Sequence, residues 1–187
     1  MSSQHKFAKC AGALAVTFAL AVSAPTLAQD ASPSPPSGMG TGCASFKWPL
    51  DSERKSFEDA GIETIVSGAA RSGWKDQAFS LALQPDASVA YTVPPEKKKP
   101  SEEPRFGGNV DFPAPEKPGN YQVTLSSEGW IDVVQRGAAL DAADHSGANG
   151  CPGLRKSVRF KVSDGPVVLQ ISDAQADSIK IAIRAVD

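Results

Sequence analysis

Between Leu140 and Gly153 the chain gathers the side chains that most often do chemistry: Asp141, Asp144, His145, Ser146, Asn149 and Cys151. Asp144-His145-Ser146 holds the three residue types of a hydrolase triad. A triad needs the imidazole between acid and nucleophile in space. Three consecutive residues do not supply that unaided, and the chain has no G-x-S-x-G elbow to help. Asp141, Asp144 and Asn149 are oxygen ligands of the kind calcium takes, although their spacing is not that of an EF-hand loop. The alternative is a long polar connection anchored by Cys151, with His145 hydrogen-bonded or facing solvent. Once the N-terminal leader described below is removed, His145 is the one histidine left, which argues against zinc sites that want several His or Cys ligands.

Two further groups could bind a ligand. Trp130 and Asp132 are two residues apart and so share one face of a strand, with Ile131 and Val133 on the other. With Ile131 and Val133 in a core, Trp130 could stack on a sugar ring while Asp132 accepts its hydroxyls. The opposite reading buries Trp130 and pairs Asp132 with a base. Arg155, Arg159 and Lys161 lie on the wet face of one later strand and form a basic stripe. Such a stripe suits an anionic polysaccharide or a lipid headgroup, or else meets acids on neighbouring strands.

The elements that must position these residues have a period of two. Phe79, Leu81 and Leu83 alternate in one segment, and Val89, Tyr91 and Val93 in the next. Tyr121, Val123 and Leu125 follow, then Val158, Phe160 and Val162, then Val167, Leu169 and Ile171, then Ile179, Ile181 and Ile183. Alternation of this kind predicts antiparallel sheets with one buried and one wet face, here Gln122 and Thr124 on the wet side. About eight short strands separated by Gly, Pro and Asp predict a mainly β, jelly-roll-like antiparallel β-sandwich. One short helix is expected after Asp51 or Ser52, ending at Gly61, with Leu50 and Phe57 packed on a sheet. The segment Pro94–Glu103, with Lys97, Lys98 and Lys99, reads as an exposed loop.

Residues 1–28 read as a secretory signal peptide. Lys6 and Lys9 precede a 13-residue apolar stretch, Cys10–Val22, too short to span a bilayer, and Thr26 and Ala28 precede the expected cut. Residues 29–42, rich in Pro, Ser and Gly, read as a flexible tether, and 43–187 as one domain. Cleavage leaves two cysteines, Cys43 and Cys151, which in an oxidising compartment have one pairing. The expected location is periplasmic or secreted. A formal net charge of -2 gives no basic excess for nucleic acid, and no later apolar run is long enough for a transmembrane segment.

Residues 106–127, FGGNVDFPAPEKPGNYQVTLSS, with the later GPVVLQIS, resemble the middle of bacterial pre-peptidase C-terminal type domains, over about residues 75–187. The resemblance implies a jelly-roll-like accessory module on a secreted protein, without catalytic residues, some such modules binding calcium or polysaccharide. The segments Phe46–Leu50, Trp130–Val133, His145–Gly147 and Cys151–Phe160 are similar to uncharacterised exported bacterial proteins, which implies the compartment but no activity. The expected function is a non-catalytic binding or accessory module for an envelope polysaccharide, lipid headgroup or protein partner. The alternatives are a hydrolase acting on an extracellular polymer through His145 or a carboxylate pair, and a structural envelope protein without a small ligand.

Overall fold

The computed structural model describes residues 40–74, 76–96, 101 and 103–186. The expected signal peptide, all of the tether before Gly40, and the lysine triplet at 97–99 lie outside these residues. In chain order the described elements are β1 (Gly40–Thr41), α1 (Asp51–Glu58), β2 (Thr64–Val66), β3 (Ala69–Ala70), β4 (Gln77–Ala82) and β5 (Gln84–Pro85). There follow β6 (Phe106–Phe112), β7 (Gly119–Leu125), β8 (Trp130–Gln135), β9 (Ala138–Ala139), β10 (Ala142–Asn149), β11 (Lys156–Val162), β12 (Val167–Ala174) and β13 (Ser178–Val186).

The chain is mainly β, as its periodicity predicts. Sheet one has the order β1-β10-β11-β7-β13-β4-β2, and sheet two the order β3-β6-β12-β8-β9, with β5 added to β6. The long ladders are antiparallel, whereas the short edge strands β1, β2 and β3 pair in parallel with β10, β4 and β6, so both sheets are mixed. Side chains of alternating positions from the two sheets interdigitate in one core. Sheet one supplies Phe79, Leu81, Tyr121, Val123, Val158, Phe160 and Ile181; sheet two supplies Val110, Phe112, Ile131, Val133, Leu169 and Ile171. Trp74, not singled out by periodicity, closes one end of this core with its ring 4.7 Å from Phe112, edge to face. The β8–β9 hairpin turns on Arg136 and Gly137, both at positive φ, which matches the right-handed twist of its strands.

Three local expectations are corrected. The Leu140–Gly153 connection is not a loop: Ala142–Gly147 pair with β11, and Gly40–Thr41 of the expected tether pair with Ala148 and Asn149. The segment Val89–Val93 is not a strand. It crosses the outer face of sheet two, where side chains rather than a neighbouring backbone satisfy it. Asn109, Gln170 and Asp132 stand in one cross-strand row. Asn109 Nδ2 donates to the Ala90 carbonyl (3.0 Å), and Gln170 Oε1 accepts from the Thr92 and Val93 amides (2.6 and 3.2 Å). Gln170 Nε2 donates back to the Val93 carbonyl (3.1 Å), and Asp132 Oδ2 accepts from the Glu96 amide (3.4 Å).

The third correction concerns the face of sheet one expected to be wet. Gln122 and Thr124 are buried, because residues 43–58 lie over them. Helix α1 presents Leu50, Glu53 and Phe57 to the sheet, at the i, i+3 and i+7 positions of one helical face. Leu50 and Phe57 form a second apolar cluster with Ala148, Cys151, Leu154 and Ala182, as expected. Asp51 begins the helix rather than capping it; Leu50 occupies the cap position without a side-chain hydrogen bond. The Cys43–Cys151 disulfide clips this covering segment to the end of β10.

Candidate functional site

Strand β10 explains what became of the Asp-His-Ser sequence. Neighbouring side chains on a strand point to opposite faces. Ser146 lies on the outer side, buried, where its hydroxyl accepts from the Lys47 amide at 2.9 Å. His145 points the other way and lines a cleft between the sheets. The Asp144 carboxylate accepts from Lys47 Nζ and from the backbone amide of His145, both at 2.7 Å, not from the imidazole. The Lys47 ammonium, then the His145 amide, hold the Asp144 carboxyl below its ordinary range. Asp144 and Asn149 are five positions apart on the strand, roughly 17 Å along it, so the strand separates two of the three oxygen donors suggested for calcium. Asp141 lies before the strand, exposed. Among the described residues no three His, Cys, Asp or Glu side chains cluster around a metal-sized space.

Ile131 and Val133 are core, so Trp130 and Asp132 do share the outer face of β8. Their partners are internal. Trp130 Nε1 donates to Asp132 Oδ1 at 2.9 Å, and Lys156 Nζ lies 4.6 Å from the Trp130 ring centroid. Asp132 is only 3% exposed. Burial raises its carboxyl above the ordinary value, against the lowering effect of the Trp130 indole, the Glu96 amide and Lys156. Trp130, His145, Lys156 and Glu96 border a cleft of about 70 Å³ at the sandwich edge, backed by Ile131, Leu140, Val158 and Phe160. It brings two sequence-selected residues together, but it is small against the 300–1,000 Å³ usual for ligand sites.

The basic stripe is divided among structural tasks. Arg155, ahead of β11, pairs with Glu128 at 2.6 Å. Arg159 Nε donates to Gln122 Oε1 at 3.1 Å, and its guanidinium stacks 4.0 Å from the Trp48 ring centroid. Gln122 Nε2 donates to the buried Glu53 carboxylate at 2.8 Å, which also meets Arg184 at 3.5 Å. Trp48 Nε1 donates to Ser157 Oγ at 3.1 Å. This network fastens the covering segment to sheet one. Lys161 remains exposed.

A larger cavity, about 420 Å³, opens where α1 meets the end of sheet one. Its wall is formed by Arg54 and Phe57 of α1, the Pro152–Gly153 turn after the disulfide, and Ile179 and Lys180 of β13. Ser80, Ser126, Ser127 and Ser178 contribute hydroxyls, and Glu58 a carboxylate. Lys180 is fixed from two sides: its amide donates to Ser126 Oγ at 3.0 Å, and its ammonium donates to the Phe57 carbonyl at the helix end. A second open cavity of about 390 Å³ lies on the other side of Arg54, among Cys43, Phe46, Lys47, Trp48 and Leu50. Sequence reasoning missed Arg54. The signal was available: a cation at i+4 from Leu50 and i−3 from Phe57 falls on the sheet-facing stripe of the helix.

Fold and cavity together define a β-sandwich with an open pocket beside its helix. No protein-family model matches the chain, and no curated protein or solved structure matches it.

Proposed function

We propose that the chain is a non-catalytic binding module of an exported protein, which takes a saccharide unit of an envelope polysaccharide in the cavity beneath α1. One observation carries this reading: the cavity has the volume of a small-ligand site and an apolar wall of Phe57, Pro152 and Ile179 set against four serine hydroxyls and two cations. A sugar ring presents the same mixture, C–H faces and hydroxyls. The Cys43–Cys151 disulfide agrees with an oxidising, periplasmic or secreted location, and among the described residues no helix is long and apolar enough to cross a membrane. The resemblance to secreted accessory modules points the same way.

The test is a nuclear magnetic resonance titration of amide shifts with neutral and acidic envelope oligosaccharides, and with lipid headgroups as a comparison arm. Saturable shifts are expected at Ser126–Glu128, Gly153 and Ala176–Lys180 with a saccharide, and their loss in a cavity-filling Ser127→Trp variant. Shifts clustered elsewhere, or binding untouched by the filled cavity, would overturn the reading.

A further inference from the structure

An arginine on the buried face of a helix needs an anion, because desolvating a guanidinium without one is costly. Three arginines that meet the sheets have theirs: Arg184 faces Glu53 at 3.5 Å, Arg155 faces Glu128 at 2.6 Å, and Arg71 faces Glu63 at 2.7 Å; Arg159, without a carboxylate, donates to the Gln122 amide oxygen and stacks on Trp48. Arg54 differs. Its Nε is shielded from solvent and has no acceptor. Its Nη2 lies 3.9 Å from the Cys151 sulfur, a weak acceptor. The neighbouring Glu53 carboxylate is already engaged by Gln122 and Arg184. The guanidinium therefore borders two cavities without a carboxylate of its own.

We propose that Arg54 reads the charge of the ligand, and that the saccharide bound in the cavity beneath α1 carries a carboxylate, as a uronic acid unit does. The inference rests on the binding reading above and adds the ligand's chemistry to it. A guanidinium fork matches a planar carboxylate with two parallel hydrogen bonds. The cavity selects one negative charge rather than two. Arg54 and Lys180 set against Glu58 leave one net positive charge among the lining residues, which a single carboxylate balances and a dianion exceeds. Ser127 and Ser178 line the same space, beside Ser126, whose oxygen already accepts from the Lys180 amide.

The experiment titrates the disulfide-intact protein with a galacturonic acid oligomer, with the neutral galactose oligomer of the same length, and with inorganic phosphate. The acidic oligomer is expected to bind about ten- to a hundredfold more tightly than the neutral one, the range for a hydrogen bond to a charged group, and to weaken with added salt. Arg54→Gln should abolish that preference, bringing the acidic oligomer's affinity down to that of the neutral one; Arg54→Lys, which keeps charge and stem, should restore part of it. Equal affinity for both oligomers in the unaltered protein, a preference that survives Arg54→Gln, or phosphate competing more strongly than the acidic oligomer would each overturn the assignment. Equal affinity leaves the binding function standing and removes only the charge reading. Binding of neither oligomer removes both.

Discussion

The two outer faces of the sandwich reach the same end by different means. The alternation predicts wet outer faces, with one short helix packed on a sheet; both faces are covered by a segment that joins neither sheet along most of its length. Over sheet two, residues 86–96 are held by a row of polar side chains, Asn109, Gln170 and Asp132, that hydrogen-bond directly to the segment's backbone. Tyr91 seals it by donating its hydroxyl hydrogen to Asp86, with the Ile171 carbonyl also within reach at 3.1 Å. A Cβ on Gly107 would lie 1.9 Å from the Tyr91 oxygen, so no side chain fits beneath the seal. Over sheet one, residues 43–58 are held mainly by side chain on side chain: Trp48 against Arg159 and Ser157, Glu53 against Gln122 and Arg184, and a disulfide, with the Lys47 amide and the Phe57 carbonyl the two backbone groups bound from the sheet. Backbone-directed bonds draw a cover flat onto a sheet. Side-chain props hold it off, and the space they leave is the cavity beside Arg54.

Removing the disulfide should have the largest effect and should act on one face. Cys43 and Cys151 are 108 positions apart, and a loop of that size is worth about 4–5 kcal/mol at most in the chain-entropy model, with about 2–4 kcal/mol typical. A Cys43→Ser, Cys151→Ser double variant should lose stability in that range by denaturant unfolding. Its Lys47 and Arg54 amides should exchange faster with solvent, while the Thr92 and Val93 amides keep their protection. Equal loosening of both covers would erase the distinction drawn between them.

What was legible in the sequence was the core. The alternation of Tyr121, Val123 and Leu125, or of Ile179, Ile181 and Ile183, reports burial on one side and so gave the sheets and their inner faces. It is silent about the other side, because a polar residue such as Gln122, Thr124 or Gln170 alternates in the same way whether it meets water or a covering segment. Gln170 is fully buried, yet its place in PVVLQIS looks solvent-facing. The same blindness affected the site. The sequence leaves open whether Arg159 and Trp130 are available, because their partners, Trp48 and Lys156, are distant in sequence or approach from the next sheet. Arg54 does not stand out in the sequence because nothing local says that its partner is missing. The disulfide was legible only through arithmetic, since two cysteines have one pairing.

Gln170→Ala should have the next largest effect, confined to the other face. It removes the acceptor of two amides and the donor to one carbonyl in a single step. Leaving buried backbone groups unpaired costs about 1–3 kcal/mol; water entering the vacated space brings the loss toward the lower figure. Exchange at Thr92 and Val93 should rise sharply, and ligand titration at the α1 cavity should be unchanged. A loss of saccharide binding in this variant would show that the two covers are coupled through the core, contrary to the separation argued from their different fastenings.

The smallest effect is a pH dependence of opposite sign at the two faces. On sheet two, burial raises the Asp132 carboxyl above its ordinary 3.8. The folded state then holds the proton more tightly than the unfolded chain, so this group's contribution is fully present below that ordinary value and is lost as pH rises through the raised one. On sheet one, Lys47 and the His145 amide lower Asp144, so its contribution is present above the ordinary value and is lost as pH falls through the lowered one. Asp144 is solvent-exposed, so screening keeps its share small. Asp132→Asn keeps the shape and an amide oxygen for the Trp130 indole while removing the titration. Thermal midpoints compared with the unaltered protein from about pH 3 to about pH 7 should show the Asn variant gaining relative stability as pH rises, and Asp144→Asn losing it. Parallel curves for Asp132→Asn would mean that water reaches the carboxylate beneath the 86–96 segment, and that the polar row on sheet two is not the dry fastening its geometry implies.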